Sequence, residues 1–390
     1  MSNPQVILLR VSGPDRPGLF AALLDVLASG GARIQDIEQV VIRRQLTLGI
    51  VVEVPPGRDL LKDLLLFGWE QKVAVEFDVV DPVPTAHAGA YAVTVLGREL
   101  TPAMLADTAA AIAEGGGNIN RIVRLSRYPI YSYELLVAGG DADAIRRNLL
   151  SIAGVNPEFD VAIQREGLAR RAKRVALLDV DSTLIQDEMI DLLAAEAGCL
   201  EVCRELTEKA MRGEIGFETA LRDRVRLLAG LDEAALERVW DQMTLTPGAR
   251  TFLTALRRLG YAVAIVSGGF TRFCNQLKQD FDLDYAFANT LEMADGKLTG
   301  HLEGPIVDRA RKAEILHEVA AAEGVSAEQV VAVGDGANDI DMLTAAGLGI
   351  AFNAKPRVRQ AVETAVSVPY LDAVLFLLGV SREEVEAEGI

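Results

Sequence analysis

Apolar and polar positions follow two regimes along the chain. Over roughly the first 165 residues, strand-like and amphipathic helical segments occur in the same order twice. Residues 6–11 read as an alternating strand. The turn-rich stretch 12–18 opens a helix from Leu19 to about Ala28, and Gly30-Gly31 closes it before a strand from Ile34. The second copy has a strand at 91–96, a helix from about Met104 to Ala113, and Gly115-Gly116-Gly117 before Ile119. Pro17 and Pro102, Gly30 and Gly115, Ile34 and Ile119, and Ile37 and Ile122 share one offset of 85 positions. Further strands at 46–54 and 130–137 and helices at 60–66 and 142–152 complete a β-α-β-β-α-β order, a ferredoxin-like α+β unit. The copies are expected at 1–82 and 88–166, with a linker at 81–87 in which His87 is a solvated residue.

From about residue 174 the pattern changes. Residues 174–180, 262–266, 330–333 and 348–352 are short, continuous apolar runs separated by helical patterns. This predicts an α/β domain over 174–390, with a Rossmann-like parallel sheet covered on both faces. The stretch at about 187–245 is helical and too long for a simple crossover, so it reads as an inserted helical cap. Asp295-Gly296, between apolar residues, predicts a hairpin turn. The run 374–378 is far shorter than the roughly 20 apolar residues of a membrane helix and reads as a buried helix end.

Charge and composition narrow the partners. The 390 residues carry 39 Lys and Arg against 56 Asp and Glu, a net charge of −17, which opposes binding to nucleic acid or an anionic membrane. Three histidines (87, 301, 317) are too few for a multi-histidine zinc centre. Three cysteines (199, 203, 274) argue against a disulfide framework. The N-terminus lacks the basic and apolar regions of a signal peptide, so a cytoplasmic location is expected.

Candidate chemistry gathers at strand ends. The first apolar run ends Asp179-Val180-Asp181-Ser182-Thr183, the second Ser267-Gly268-Gly269, and the third Gly334-Asp335-Gly336-Ala337-Asn338-Asp339. Open parallel sheets bind ligands at the carboxyl ends of their strands, so these clusters are expected to converge. Each aspartate alone is readily a helix cap or turn former. Together they form an oxygen-rich set suited to Mg²⁺ rather than zinc.

These segments, with Lys312, resemble the four motifs of the haloacid dehalogenase-like phosphatases, and the match over about 174–378 is similar to the phosphoserine phosphatases. The N-terminal copies resemble ACT domains, chiefly through topology and Asp15-Arg16-Pro17-Gly18-Leu19. The resemblance implies hydrolysis of O-phospho-L-serine to L-serine, the last step of L-serine biosynthesis. Asp179 is then the nucleophile that becomes an aspartyl-phosphate, and Asp181 the general acid and base. Mg²⁺ is held by Asp179, the Asp181 carbonyl and Asp335. Asp339 acts through water and by orienting Lys312. Ser267, Gly268, Lys312 and Asn338 bind the phosphoryl group. Glu188 takes the substrate ammonium, Arg224 its carboxylate, and Met211 and Phe217 cover its backbone. Arg222 and Arg226 are alternatives to Arg224, and Arg309 and Arg311 are competitors of Lys312.

For the ACT copies the resemblance implies an amino-acid effector, L-serine, at the 15–19 loop, with Asp15 and Gly18 as candidates. It also implies a homodimer formed through these modules. Copy two has Leu100 and Ala103 at the Asp15 and Gly18 positions but adds Asn118 and Asn120. A Cβ at the glycine position is expected to block close backbone approach. The competing readings are another small phosphomonoester as substrate, phosphoryl transfer to an alcohol, and an amino-acid sensor with a vestigial phosphatase half.

Overall fold

The computed structural model describes residues 5–55, 60–80, 90–156 and 159–390, so the linker expected at 81–87, with His87, lies outside the described residues. The chain divides into two bodies, Met1–Ala86 and His87–Ile390.

In the first body, β1 (Gln5–Pro14), α1 (Leu19–Ser29), β2 (Arg33–Ile42), β3 (Gln45–Val54), α2 (Leu60–Gln71) and β4 (Ala74–Val79) follow one another. The antiparallel sheet has the order β2-β3-β1-β4. Leu19, Leu23, Leu27, Leu60, Leu64 and Phe67 of the helices pack on Ile7, Leu9, Val11, Leu46, Leu48, Ile50 and Val52 of the strands. The period-2 pattern thus sends one strand face to the helices.

The second body opens with the same arrangement: β5 (Ala90–Gly97), α3 (Pro102–Glu114), β6 (Asn118–Ser126), β7 (Tyr131–Ala138), α4 (Ala142–Val155) and β8 (Phe159–Arg165), in sheet order β6-β7-β5-β8. The copies diverge at the entry to the first helix. Gly18 caps α1 with φ +87°, and a Cβ built there meets nothing within 4 Å. This left-handed backbone conformation itself favours glycine. In copy two, Thr101 caps α3 from the extended region. Its Oγ1 accepts the Met104 N–H at 3.3 Å and Pro102 takes the first helical position, so no left-handed residue is needed.

After α5 (Leu168–Arg171), β9 (Val175–Asp179) begins the α/β part. The inserted helices are α6 (Met189–Glu196), α7 (Leu200–Met211), α8 (Phe217–Arg226) and α9 (Glu233–Gln242). Then come α10 (Ala249–Arg258), β10 (Ala262–Phe270), α11 (Thr271–Asp280), β11 (Tyr285–Ala294), β12 (Lys297–Glu303), α12 (Arg309–Ala322), β13 (Val330–Gly334), α13 (Ile340–Ala345), β14 (Leu348–Phe352), α14 (Pro356–Ala361), β15 (Thr364–Val366), α15 (Val374–Leu377) and α16 (Arg382–Ala387). The sheet order is β12-β11-β10-β9-β13-β14-β15, all parallel except the β11–β12 hairpin. Sequence foresaw four of these strands and the hairpin turn. It missed β15 and the extension of β10 to Phe270, because glycine-rich or three-residue strands carry little periodic signal.

The apolar runs are continuous because both strand faces are buried. Ala176, Leu178, Val263, Ile265, Val331 and Val333 enter one core, while Val175, Leu177, Ala264, Val266, Val330 and Ala332 enter the other. The first core does not stop at the α/β part. It includes Leu96, Leu125, Ile130 and Ala162 of the second copy beside Val368, Leu371 and 373–377. Polar ties flank this shared core. Asp160, 1% exposed, accepts the Ser367 N–H at 2.5 Å and faces Arg359 at 3.3 Å. Gln164 donates to the Leu377 carbonyl at 2.8 Å, and Arg124 pairs with Glu383 at 3.0 Å.

Replacing Asp160 with alanine leaves the Ser367 N–H and Arg359 without this partner. We expect a loss of about 1–3 kcal/mol, seen as a lower urea midpoint of the second body. An unchanged midpoint would mean that this tie does not hold the two parts together.

Candidate active site

Strand β9 lies at the centre of the sheet between β10 and β13. Asp179 ends it beside Val266, and Asp335 follows the end of β13. The chain then makes a wide turn over Val180–Leu184. Ser182 sits at φ 57°, a left-handed conformation that is costly for a residue with a side chain. It is fastened by its N–H to the Asp187 carbonyl (3.2 Å) and by its hydroxyl to Glu188 (2.8 Å).

Lys312 is the centre of the site. It lies on the first turn of α12 and is wholly buried, with its ammonium 2.7 Å from Asp179 and 2.6 Å from Asp339. Burial opposes its charge, but the two carboxylates outweigh burial and raise its pKa. Arg309 and Arg311 instead lie toward solvent and pair with Asp341, Glu314 and Glu318. Asp339 is fully engaged: Oδ1 takes Lys312 and Oδ2 takes the Gly336 N–H at 2.8 Å. Gly334 makes room for it, since a Cβ there would stand 2.6 Å from the Asp339 carboxyl carbon.

One carboxylate oxygen each from Asp179, Asp335 and Asp339 lies within 4.8 Å of the others. Burial raises the Asp179 carboxyl well above its usual range, and the Asp339 charge adds to this. Burial followed by Asp339 also lifts Asp335 to about 7. Three crowded carboxylates with one ammonium retain excess negative charge, and their all-oxygen donors fit a hard divalent cation. The cluster can hold a metal ion. The Asp181 carboxylate is turned elsewhere, accepting the Met189 N–H at 2.7 Å and the Ser267 hydroxyl at 2.7 Å. Ser267 Oγ also accepts the Gly269 N–H at 2.7 Å. Burial raises the Asp181 carboxyl above its ordinary value.

The inserted helices bring a second set of charges to the same cleft. Glu188 precedes α6 and is still reached by solvent. Protein packed around it, then the Asp181 charge, lift it to about 7. Arg224 on α8 is half-buried, which weakens its hold on its proton, while Glu188 and Asp181 are among the charges that oppose this. Its Nε donates to the Ala220 carbonyl (3.3 Å) and its Nη1 to Thr207 (3.2 Å). Arg222 and Arg226 pair with Glu218 and Asp223. The tip of the Phe217 ring reaches within 3.7 Å of where a Cβ on Gly268 would be. Met211 is 63% exposed at the end of α7. Asn338 is half-buried beside Gly336. Asp15 and Gly18 belong to the first body, and Asn118 bonds Asn120 at 2.7 Å on β6.

Sequence reasoning missed two supports. Asn289 on β11 is 1% exposed; its amide donates to the Gly268 carbonyl and its oxygen accepts the Val307 N–H, both at 2.8 Å. It therefore joins the Ser267 loop to the approach to α12. An asparagine ending the run Tyr-Ala-Phe-Ala-Asn was the signal available. Thr246 donates to the Thr183 carbonyl (2.7 Å), and the Thr183 hydroxyl donates to Asp335 (3.2 Å), linking the segment between α9 and α10 to the aspartates.

Comparison with known proteins agrees with this geometry. Residues 176–344 match the haloacid dehalogenase-like hydrolase model, and residues 5–78 and 89–164 each match an ACT domain model. A phosphoserine phosphatase of Streptomyces coelicolor is 49% identical over 99% of this chain and 95% of its own length. Phosphoserine phosphatase SerB2 of Mycobacterium tuberculosis is 45% identical over 98% of this chain and 95% of its own. A solved phospho-aspartyl intermediate analogue of phosphoserine phosphatase aligns with 52% of this chain and 98% of its own, at 45% identity and a TM-score of 0.50. The chain belongs to the haloacid dehalogenase-like hydrolases and, among them, to the phosphoserine phosphatase family with ACT domains.

Asn289→Ala leaves two buried backbone groups unpaired. It should cost about 1–3 kcal/mol of stability and lower kcat. Full activity with an unchanged melting temperature would show that the bridge is dispensable.

Proposed function

We propose that this chain is a Mg²⁺-dependent phosphoserine phosphatase that releases L-serine as the last step of its biosynthesis, with residues 174–390 catalytic and the two ACT copies sensing an amino acid. The observation that carries the substrate reading is the pair Glu188 and Arg224. Opposite charges line one cleft, and among the described residues neither has an ion-pair partner. A carboxylate and a guanidinium left open in this way suit the ammonium and carboxylate of a zwitterion. A simple phosphomonoester would leave both unanswered.

Asp179 attacks phosphorus, the bond from phosphorus to the seryl oxygen breaks, and Asp181 gives its proton to that oxygen. Asp181 then takes a proton from the water that hydrolyses the aspartyl-phosphate. The raised pKa of Asp181 favours the proton-bearing form that the first step needs. Lys312 keeps Asp179 in place and offers positive charge to the phosphoryl oxygens, with Ser267, the Gly268 amide and Asn338 as further donors. Asp179, the Asp181 carbonyl and Asp335 would hold Mg²⁺, with Asp339 behind them. When bound, the ion would neutralise the meeting of carboxylate and phosphate. Phe217 and Met211 would cover the substrate.

Regulation is proposed through L-serine at the 15–19 loop, where Asp15 and Gly18 are the candidates, or beside Asn118 in copy two. Pairing of two chains through ACT copies is supported by β2, all ten residues of which are exposed, Val40, Val41 and Ile42 included.

Asp179→Asn should abolish phosphate release from phosphoserine; retained turnover would mean the nucleophile lies elsewhere. Stripping divalent cations should stop turnover, and Mg²⁺ should restore it and raise the melting temperature by relieving the crowded carboxylates. Indifference of both rate and melting temperature to Mg²⁺ would remove the metal from the proposal. Asp15→Ala should shift the response of turnover to added L-serine; identical titrations would place any serine effect outside this loop.

A further inference from the structure

Arg224 is one of three arginines spaced two apart on α8, yet only Arg222 and Arg226 meet acids on their own helix. Arg224 is held by two neutral oxygens: the Ala220 carbonyl on Nε and, across the cap on α7, Thr207 Oγ1 on Nη1 at 3.2 Å. The Thr207 hydroxyl uses its own proton on the Cys203 carbonyl at 3.1 Å. A threonine bonded back to its own helix is common and by itself signifies little. Here the back-bond has a consequence. With its proton committed to Cys203, the Thr207 oxygen can only accept from Arg224, so its lone pairs are aimed at the guanidinium. Among the described residues, Nη2 has no hydrogen-bond partner.

We propose that Thr207 is a positioning residue that sets the guanidinium of Arg224 for the substrate carboxylate and thereby fixes selectivity for substrates that carry one. This rests on the reading of Arg224 given above. A long, half-buried arginine loses side-chain freedom when it binds, and a guanidinium already clamped at two points loses less. A carboxylate then meets a guanidinium already oriented, which favours the paired geometry such forks make.

The test is steady-state kinetics of the full-length Mg²⁺ enzyme on phosphoserine and on O-phosphoethanolamine, which keeps the ammonium and phosphate but lacks the carboxylate. Wild type, Thr207→Ser, Thr207→Val, Arg224→Ala and the Val/Ala double variant are compared. Thr207→Val should raise KM for phosphoserine roughly tenfold, the scale of one hydrogen bond to a charged group, with a smaller change in kcat. Its preference for phosphoserine over phosphoethanolamine should fall by the same factor. Thr207→Ser keeps the hydroxyl and should restore most of both. In the Arg224→Ala background, adding Thr207→Val should raise KM no further. A wild-type preference that survives Thr207→Val, or additive losses in the double variant, would overturn the role of Thr207. No wild-type preference for the carboxylate-bearing substrate would overturn the substrate reading itself, and this proposal with it.

Discussion

A single buried ammonium organises the catalytic half. Lys312 has no contact with solvent and stands between Asp179 and Asp339. Without it, three carboxylates within 4.8 Å would repel each other in a poorly hydrated setting. With it, the end of β9, the start of α12 and the loop after β13 are tied at one point. Everything else in the site is arranged around that tie. Asn289 joins the second strand's loop to the approach to α12, and Thr183 joins the first loop to Asp335.

The cluster is left short of positive charge by its residue types: aspartates outnumber the lysine, and among the described residues no histidine joins them. The net charge of −17 therefore says little about what the enzyme binds locally. Two cations stand at the site, Lys312 beneath the aspartates and Arg224 on α8, while acids such as Asp223, Glu314 and Glu318 are paired with surface arginines. Such exposed pairs contribute little to stability.

Much of this was legible in the sequence because strong local rules apply. Four apolar runs flanked by turn chemistry gave the parallel sheet, and Asp179, Ser267 and Asp335 stood at or just past their ends, while Lys312 was singled out only through the family resemblance. The repeat offset gave the two ferredoxin-like sheets. What stayed hidden were contacts set by tertiary packing. Nothing local marks Thr207 or Thr246 out from other threonines, and Asn289 resembles an ordinary strand end. The left-handed backbone of Gly18, with its φ of +87°, also emerged only from the structure. The resemblance favoured Arg224 over Arg222 and Arg226, but the acidic partners of those two on their own helix became visible only in the structure.

The core that runs from Leu125 and Ile130 into Val374 and Phe376 redraws the chain's modular plan. By pattern and topology the repeats are a pair; by packing, the second belongs with the α/β part. Its substitutions must be matched by residues near the C-terminus, as in any one domain. The described core of the first copy is built from that copy's own residues. The second copy's sequence is therefore tied to that of its neighbour, although the repeat pattern alone presents it as a separate module.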